Sequence, residues 1–556
     1  MKRQKLWKKC IAAILTGAMC ASLAAGCGSS QTQQAESTTA KGGTTVSSSS
    51  ETTQSAEAGT VGITYPIENA GSFTFGMTLA SGWKDRFSSF DTLPLGQALE
   101  AATGFDMEMV HVENNNAMNL LIASGELPDV ILYNWKSGYS GGETKAVEDG
   151  VIQAMTPEFV QQYAPDYWEV INSDPDIRKQ VSTADGNIWG FAFIIKADLL
   201  KGGYGLIIRD DWCEELGIGI PETADDFYNM LKAFKEEKGI EVPMSMDWNN
   251  LSYLMERGII TSPFGLVKSD MYVDDGQVKV GYAQQEYKAV LEWLHKLYAE
   301  ELLDPNFSTL DTDTLKANIL SGASGVTAGN IGGNLGSWLT TNKEVENYSL
   351  KGIRNLVAKS GDTPMAGIMK NSVIGKSAVI TSSCKNPELL AQFLNYGYTE
   401  AGHLLYCFGT EGESYNMVDG EPKFADYILN NPNGLTVTQA ESEYVMSWDN
   451  GPFVQDENVM LQTLVWDAQE EALYNWIDND GAKYLLPEVT ISAEDMNEYS
   501  SLKSEIEAYV DEMSIKFIMG TESLDNYDDY LNNLNSMGLS RLQEITQAAL
   551  DEYNAR

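Results

Sequence analysis

The usual catalytic side chains are in short supply in this sequence. It has three histidines, His111 in a predicted strand and His295 and His403 in predicted helices. No His-Glu-x-x-His pair, Cys-x-x-Cys pair or phosphate-binding loop occurs, so the zinc, redox and nucleotide chemistries that need those spacings have no basis here. Gly138-Tyr-Ser140-Gly-Gly142 fits the Gly-x-Ser-x-Gly pattern of a nucleophile elbow. That elbow requires a strand leading directly into a helix. The residues that follow, Glu143-Thr-Lys-Ala-Val-Glu-Asp-Gly150, are poorly apolar, so Ser140 reads as a turn residue. Asp478-Asn-Asp480-Gly481 matches part of a calcium loop, but Trp476 stands at the first ligand position and Pro487 at the twelfth. A solvated turn is expected there. With 79 acidic residues in the chain, paired carboxylates carry no information. No catalytic residue, metal or cofactor is expected.

The elements that would position a binding site read more clearly. Phe73-Thr-Phe-Gly-Met77 alternates as an opening strand. Residues 93–103 read as a helix ended by Gly104, 107–112 as a strand, 117–123 as a short helix, and 127–132 as a buried strand. This β-α-β-α-β rhythm predicts a parallel sheet covered by helices. Further on, Leu206-Ile-Ile208 reads as a strand. Thr223 is a predicted N-cap with Asp226 three residues later, ahead of a helix whose apolar face carries Phe227, Met230, Leu231 and Phe234. Residues 287–303, and the set Tyr499, Leu502, Ile506, Tyr509, Val510, Met513 and Phe517, hold helical spacing.

Composition bounds the rest. The chain is 43% hydrophobic with a formal net charge of −42, a surface that repels nucleic acid and anionic lipid headgroups. Residues 1–9 carry five positive charges and precede a short apolar run, which describes a signal peptide rather than a spanning helix. Leu23-Ala-Ala-Gly-Cys27 resembles the bacterial lipobox, although Ala24 stands where Leu is commonest. The resemblance implies that Cys27 carries a diacylglyceryl group after cleavage behind Gly26. Residues 28–59 are rich in Ser, Thr, Gln and Gly. They predict a flexible tether with a reach of roughly 30 Å.

Several segments then fall in a telling order: Leu120-Leu-Ile-Ala-Ser-Gly-Glu-Leu-Pro-Asp-Val130, Asp185-Gly-Asn-Ile-Trp-Gly190, Gly205-Leu-Ile-Ile-Arg-Asp-Asp-Trp212, Pro221-Glu-Thr223, Gly409-Thr-Glu-Gly412 and Lys516-Phe-Ile-Met-Gly520. Their order and spacing resemble the extracellular solute-binding proteins of family 1, in the long lipoprotein-type branch that serves sugar ABC importers. The resemblance implies an α/β, two-lobed, periplasmic-binding-protein-like fold of type II. Lobes joined by crossing strands would hold ligand in the cleft between them. The implied crossings lie near 193–205, 325–330 and 375. The implied division is a signal peptide (1–26), an anchored cysteine with linker (27–62), an N-terminal lobe (63–195 with 328–374) and a C-terminal lobe (196–327 with 375–556).

By the same resemblance the ligand is a carbohydrate, captured by hinge closure and passed to ABC permease transmembrane subunits. The chain would work as a monomer, held at the membrane through its lipid. Sugar recognition needs aromatic faces for pyranose C–H surfaces and polar side chains for hydroxyls. In open α/β sheets ligands sit outside the carboxyl ends of strands. That rule selects Trp83, Lys84 and Asp85 after the first strand, and Tyr133, Asn134 and Trp135 after the 130–132 strand. On the other lobe it selects Arg209, Asp210 and Trp212, for which a structural cap is an equal reading. Trp248, Asn330, Trp338 and Trp448 are further candidates, each with a core or rim position as the competing assignment. A peptide or other non-sugar solute, or a surface enzyme or adhesin acting on polysaccharide, stays open as an alternative.

Overall fold

Phe73, Phe75 and Met77 are all buried, and their alternation makes Ser72–Thr78 a strand with one face on the core. It lies between two parallel neighbours, Asp106–Val112 and Val130–Tyr133. The latter is apolar on both faces, as expected of a strand covered by helices on each side. Val130 and Leu132 join the Phe73–Phe75 core, while Ile131 and Tyr133 face Met118 and Ile122 across the sheet. Asn114 starts the Asn115–Ser124 helix by accepting the Ala117 N–H at 3.0 Å, and Gly125 closes it at φ 76°. Both are ordinary cap chemistry.

The computed structural model describes residues 62–79, 83, 86–446 and 448–556. The expected signal peptide, Cys27 and the linker up to 61 lie outside the described residues, as do Lys84 and Asp85.

A second sheet places Tyr204–Ile208 between Val326–Asn330 and Lys351–Gly352, all antiparallel. Leu206 and Ile208 face a core built with the Ala224–Glu236, Gln285–Ala299 and Met496–Met519 helices, and Ile207 faces Leu335, Trp338 and Trp476. The predicted capping box at Thr223 and Asp226 is present in both directions. The helix Asp467–Ile477 packs so closely on this sheet that a Cβ on Gly205 would stand 2.3 Å from Trp476 Nε1. That approach is why a glycine stands second in the strand.

Two α/β lobes with separate cores result. Residues 70–200 and 373–459 supply the first core, and 206–368 with 506–550 the second. The chain leaves the first lobe through residues 196–203 and returns through 369–376. These passages are tied together where the Ile195 N–H donates to Ser372 O at 2.8 Å and Ile194 bridges Val373. Phe453–Gln455 lies parallel to Phe193–Ile195 beside them.

The expected lobe boundaries need correction. Residues 328–374 were assigned to the N-terminal lobe, yet Val326–Asn330 and Lys351–Gly352 pair with Tyr204–Ile208 of the second. Residues 375–556 were assigned whole to the C-terminal lobe, yet Ser377–Ile380 pairs antiparallel with Val130–Tyr133 of the first. The crossing expected near 325–330 is thus a strand inside one lobe. Those expected near 193–205 and 375 fall where the chain does pass between cores. The physical reason is that apolar patterning marks a strand without naming its partner.

Candidate functional site

Where the first sheet's strands end, the chain leaves a cavity of about 830 Å³. Its walls include Thr78, the last residue of one parallel strand, Asn114, just beyond the carboxyl end of its neighbour, and Lys376, just before the antiparallel one. A second cavity of about 910 Å³ runs from there to residues 331–341 of the other lobe. Thr438, Glu441, Val445, Met446 and Trp448 line both, so the Val437–Tyr444 helix and the loop after it form the shared wall. Thr436 and Gln439 start that helix with a reciprocal capping box.

Trp448 occupies the junction. It is half-buried, and its ring meets Phe193 edge-on at 5.5 Å, with Lys370 Nζ 5.5 Å from the ring centroid. Phe193 belongs to the strand from which the chain crosses between lobes, so this indole is fixed to the crossing itself. Across the cavity, Asn330 and Asn334 exchange backbone-to-side-chain hydrogen bonds at 2.9 and 3.2 Å. They shape a wide π-helical turn, Ile331–Gly336. Such turns recur at functional sites, and here Gly332 and Gly333 leave the backbone open to the cavity. An aromatic platform, amides, hydroxyls and a carboxylate around an apolar floor form the usual small-ligand arrangement.

Glu441 is the electrostatic centre of this wall. Its carboxylate makes no hydrogen bond or ion pair among the described residues, and burial pushes its pKa from 4.5 up to about 7. The unfolded chain therefore ionises this group earlier than the folded one, and stability falls as pH rises from about 4.5 through about 7. Glu441→Gln is expected to raise the melting temperature at pH 8 and leave it unchanged at pH 4, a difference that thermal unfolding at the two pH values reads directly. Burial likewise pushes the Lys370 and Lys376 pKa values down, and Asp449 opposes it.

The sequence candidates scatter. Tyr133 and Trp135, the leading pair, are each 1% exposed and present no ring face to a ligand. Tyr133 Oη donates to Gly138 O at 2.7 Å, and Trp135 Nε1 donates to Ser377 O at 3.2 Å. Asn134 caps the Trp135–Gly138 turn. The turn folds these rings under the doubly covered sheet instead of out toward the strand ends. Trp83 is buried too, donating to Ser442 O, but it contributes to the wall of the 830 Å³ cavity.

Arg209 is a structural cap, chelating Asp211 at 2.8 and 2.5 Å between the rings of Trp212 and Tyr348. Asp210 begins the Asp210–Leu216 helix, and Trp212 packs on Phe234 in the second core. Trp248 packs on Phe307. Trp338 is buried beneath the π-helical turn, whereas Asn330 is exposed at its start. Trp448 is the candidate that faces both cavities. Glu441, Thr438 and Asn114–Asn116 were missed by the sequence reading. The Thr436-to-Gln439 spacing was the available sign of a helix there, and the strand-end rule reached Asn114 for anyone extending it past 112.

One arrangement has the look of a nucleophile and base. His403 Nε2 stands 3.1 Å from Asp456 Oδ2, and Cys407 Sγ lies 3.8 Å from His403 Nδ1. Nδ1 is also 3.2 Å from Val454 O, an acceptor, so it holds its own proton and cannot take the thiol's. Burial also pushes the Cys407 thiol up. Ser140 follows the short Trp135–Gly138 helix rather than a strand, outside the geometry of an elbow. Asp478 pairs with Arg354 at 2.6 Å and Asp480 with Lys483 at 2.7 Å, so the supposed calcium-loop carboxylates serve as ion-pair partners.

Comparison with known proteins agrees with this architecture. Residues 90–403 match the family model described as bacterial extracellular solute-binding protein. The chain is 25% identical over 466 residues to lipoprotein LipO of Bacillus subtilis (strain 168), covering 80% of this chain and 86% of that one. It is 23% identical over 529 residues to the fructooligosaccharide ABC transporter substrate-binding protein FusA of Streptococcus pneumoniae, covering 89% and 93%. Among solved structures, the alginate-binding protein AlgQ2 without calcium superposes with a TM-score of 0.66 at 22% identity, over 87% of this chain and 99% of that one. FusA in complex with kestose gives 0.65 at 20% identity over the same shares. The two-lobed fold, the cleft and the family match converge: the chain belongs to the bacterial extracellular solute-binding protein family.

Proposed function

We propose that this chain is the lipid-anchored receptor of an ABC importer, capturing an oligosaccharide between its lobes and delivering it to the membrane permease. The observation that carries the reading is Trp448, a half-buried indole at the junction of two cavities, one walled by the first lobe and the other reaching residues 331–341 of the second. An indole face suits the C–H surface of a pyranose, and the amides, hydroxyls and carboxylate around it suit its hydroxyls. Together the cavities exceed the room one sugar ring needs, which favours a chain of several. Relatives named for fructooligosaccharide and alginate support the carbohydrate class. The lipobox-like Leu23–Cys27 and a relative named as a lipoprotein support the anchor.

Ligand contacts to both lobes would favour a closed state over an open one, which is the whole work such a receptor does. A ligand that binds only the folded state raises its stability by about 2.7 kcal/mol at 100 times Kd. In a thermal-shift screen, at least one oligosaccharide is expected to raise the melting temperature in a concentration-dependent way, while di- and tripeptides do not. Stabilisation by peptides alone would overturn the reading.

A further inference from the structure

Apart from the crossings, the lobes are tied at two places whose residues line neither cavity of the cleft. Helix Leu539–Ala555 belongs to the second lobe, with Leu542 and Leu550 in its core. Residues 486–491 lie on the same lobe, where Ile491 packs with Ile545 and Ala549 of that helix. Both stretches nevertheless bond across to the first lobe.

The first tie meets the two short helices that follow the Val130–Tyr133 strand, Trp135–Gly138 and Gly142–Glu148. Lys136 Nζ pairs with Glu488 Oε2 at 3.2 Å, and Thr490 Oγ1 donates to the buried Glu143 Oε1 at 2.9 Å. The second tie is made by the end of the long helix. Arg556 Nη1 donates to Ser182 O at 2.9 Å while Nη2 holds Glu552 at 3.3 Å. Lys179 Nζ donates to Asn554 O at 3.4 Å and lies 5.6 Å from the centroid of the Tyr553 ring. Tyr553 is buried and reaches the side chain of Gln180. Gln180 Oε1 in turn accepts the Val373 N–H at 2.9 Å. One glutamine thus joins the helix end to the segment on which the chain returns.

Hydrogen bonds of this length weaken steeply once donor and acceptor are displaced or misaligned, so these ties hold over a narrow range of lobe orientations. The orientation they hold gives the 910 Å³ cavity one wall from each lobe. A ligand meets both walls at once only when the lobes face each other in this way. A receptor that already populates the competent arrangement escapes the loss of apparent affinity that a rare competent state imposes.

We propose that residues 488–490 and 553–556 form an interlobe brace that holds the cleft in its ligand-ready geometry and so sets the affinity of capture. The inference rests on the reading of the cleft as the capture site, but its claim concerns residues that line neither cavity.

The test pairs small-angle scattering of the ligand-free full chain with calorimetric titration by the oligosaccharide that gives the largest thermal shift. Lys136→Met with Thr490→Val cuts one tie, and Lys179→Met with Arg556→Met cuts the other. Each pair is expected to enlarge the radius of gyration without sugar, to leave it at the wild-type value at saturation, and to weaken binding roughly 5–50-fold, the usual range for coupling between sites. Two separate pairs guard against one that fails to fold. Unchanged radius and unchanged affinity in both would overturn the brace. Weaker binding with no change in the ligand-free radius would overturn it as well, because the damage would then lie in the site. A larger radius with wild-type affinity would overturn the claim that the brace sets capture. If the wild type binds no oligosaccharide, the carbohydrate reading falls by itself, and the scattering comparison still decides the brace, which an unchanged radius overturns.

Discussion

Trp135→Ala is expected to cost about 3–5 kcal/mol of folding free energy while the fraction that stays folded binds ligand as the wild type does. The indole is 1% exposed and meets Tyr133 edge-on at 5.5 Å, in the core formed with Ile131, Met118 and Val379. Truncation leaves a void on the helix-covered side of the sheet and strips Ser377 O of its donor. Both penalties fall on the strand that docks residues 377–380 onto the first lobe. Denaturant unfolding measures the loss, and titration of the same sample measures affinity. A variant with unchanged stability and weakened binding would restore Trp135 to the cleft and remove Trp448 from its role.

The reciprocal behaviour is expected at Trp448. Trp448→Ala should weaken oligosaccharide binding by about 1–3 kcal/mol, the common cost of truncating an aromatic anchor, which is roughly 5- to 150-fold in Kd. The melting temperature of the free protein should move little. The side chain is half-buried, with one edge on Phe193 and the rest facing the cavities. Trp448→Phe should recover part of the affinity, since a smaller ring keeps a stacking face. Calorimetry with thermal unfolding separates a binding role from a packing role in one set of samples.

How far the sequence reaches is clearest from particular residues. The alternation of Phe73, Phe75 and Met77, and the capping pair Thr223 and Asp226, were readable because strands and helices announce themselves over a few residues. The lobe assignment of 326–330 and 377–380 was not. Those strands find partners 118 and more positions away in the chain, for instance Ile208 with Val326 and Tyr133 with Ser377. Nothing local records which partner wins. The aromatic candidates failed for a related reason. The strand-end rule fixes where a ligand sits relative to a sheet, but the direction of Tyr133 and Trp135 depends on one tight turn beneath it. Glu441 and Trp448 flank a short helix end whose apolar pattern is weak, so only packing against the Phe193 crossing gives them a place.

The central claim is that a saccharide lies between the lobes on Trp448. The most direct measurement is a crystal structure of the complex with the oligosaccharide that gives the largest thermal shift. The account predicts a sugar ring against the Trp448 indole, with further contacts from Glu441 on one side and from residues 331–341 on the other. Sugar density confined to one lobe, with Trp448 bare, would contradict it.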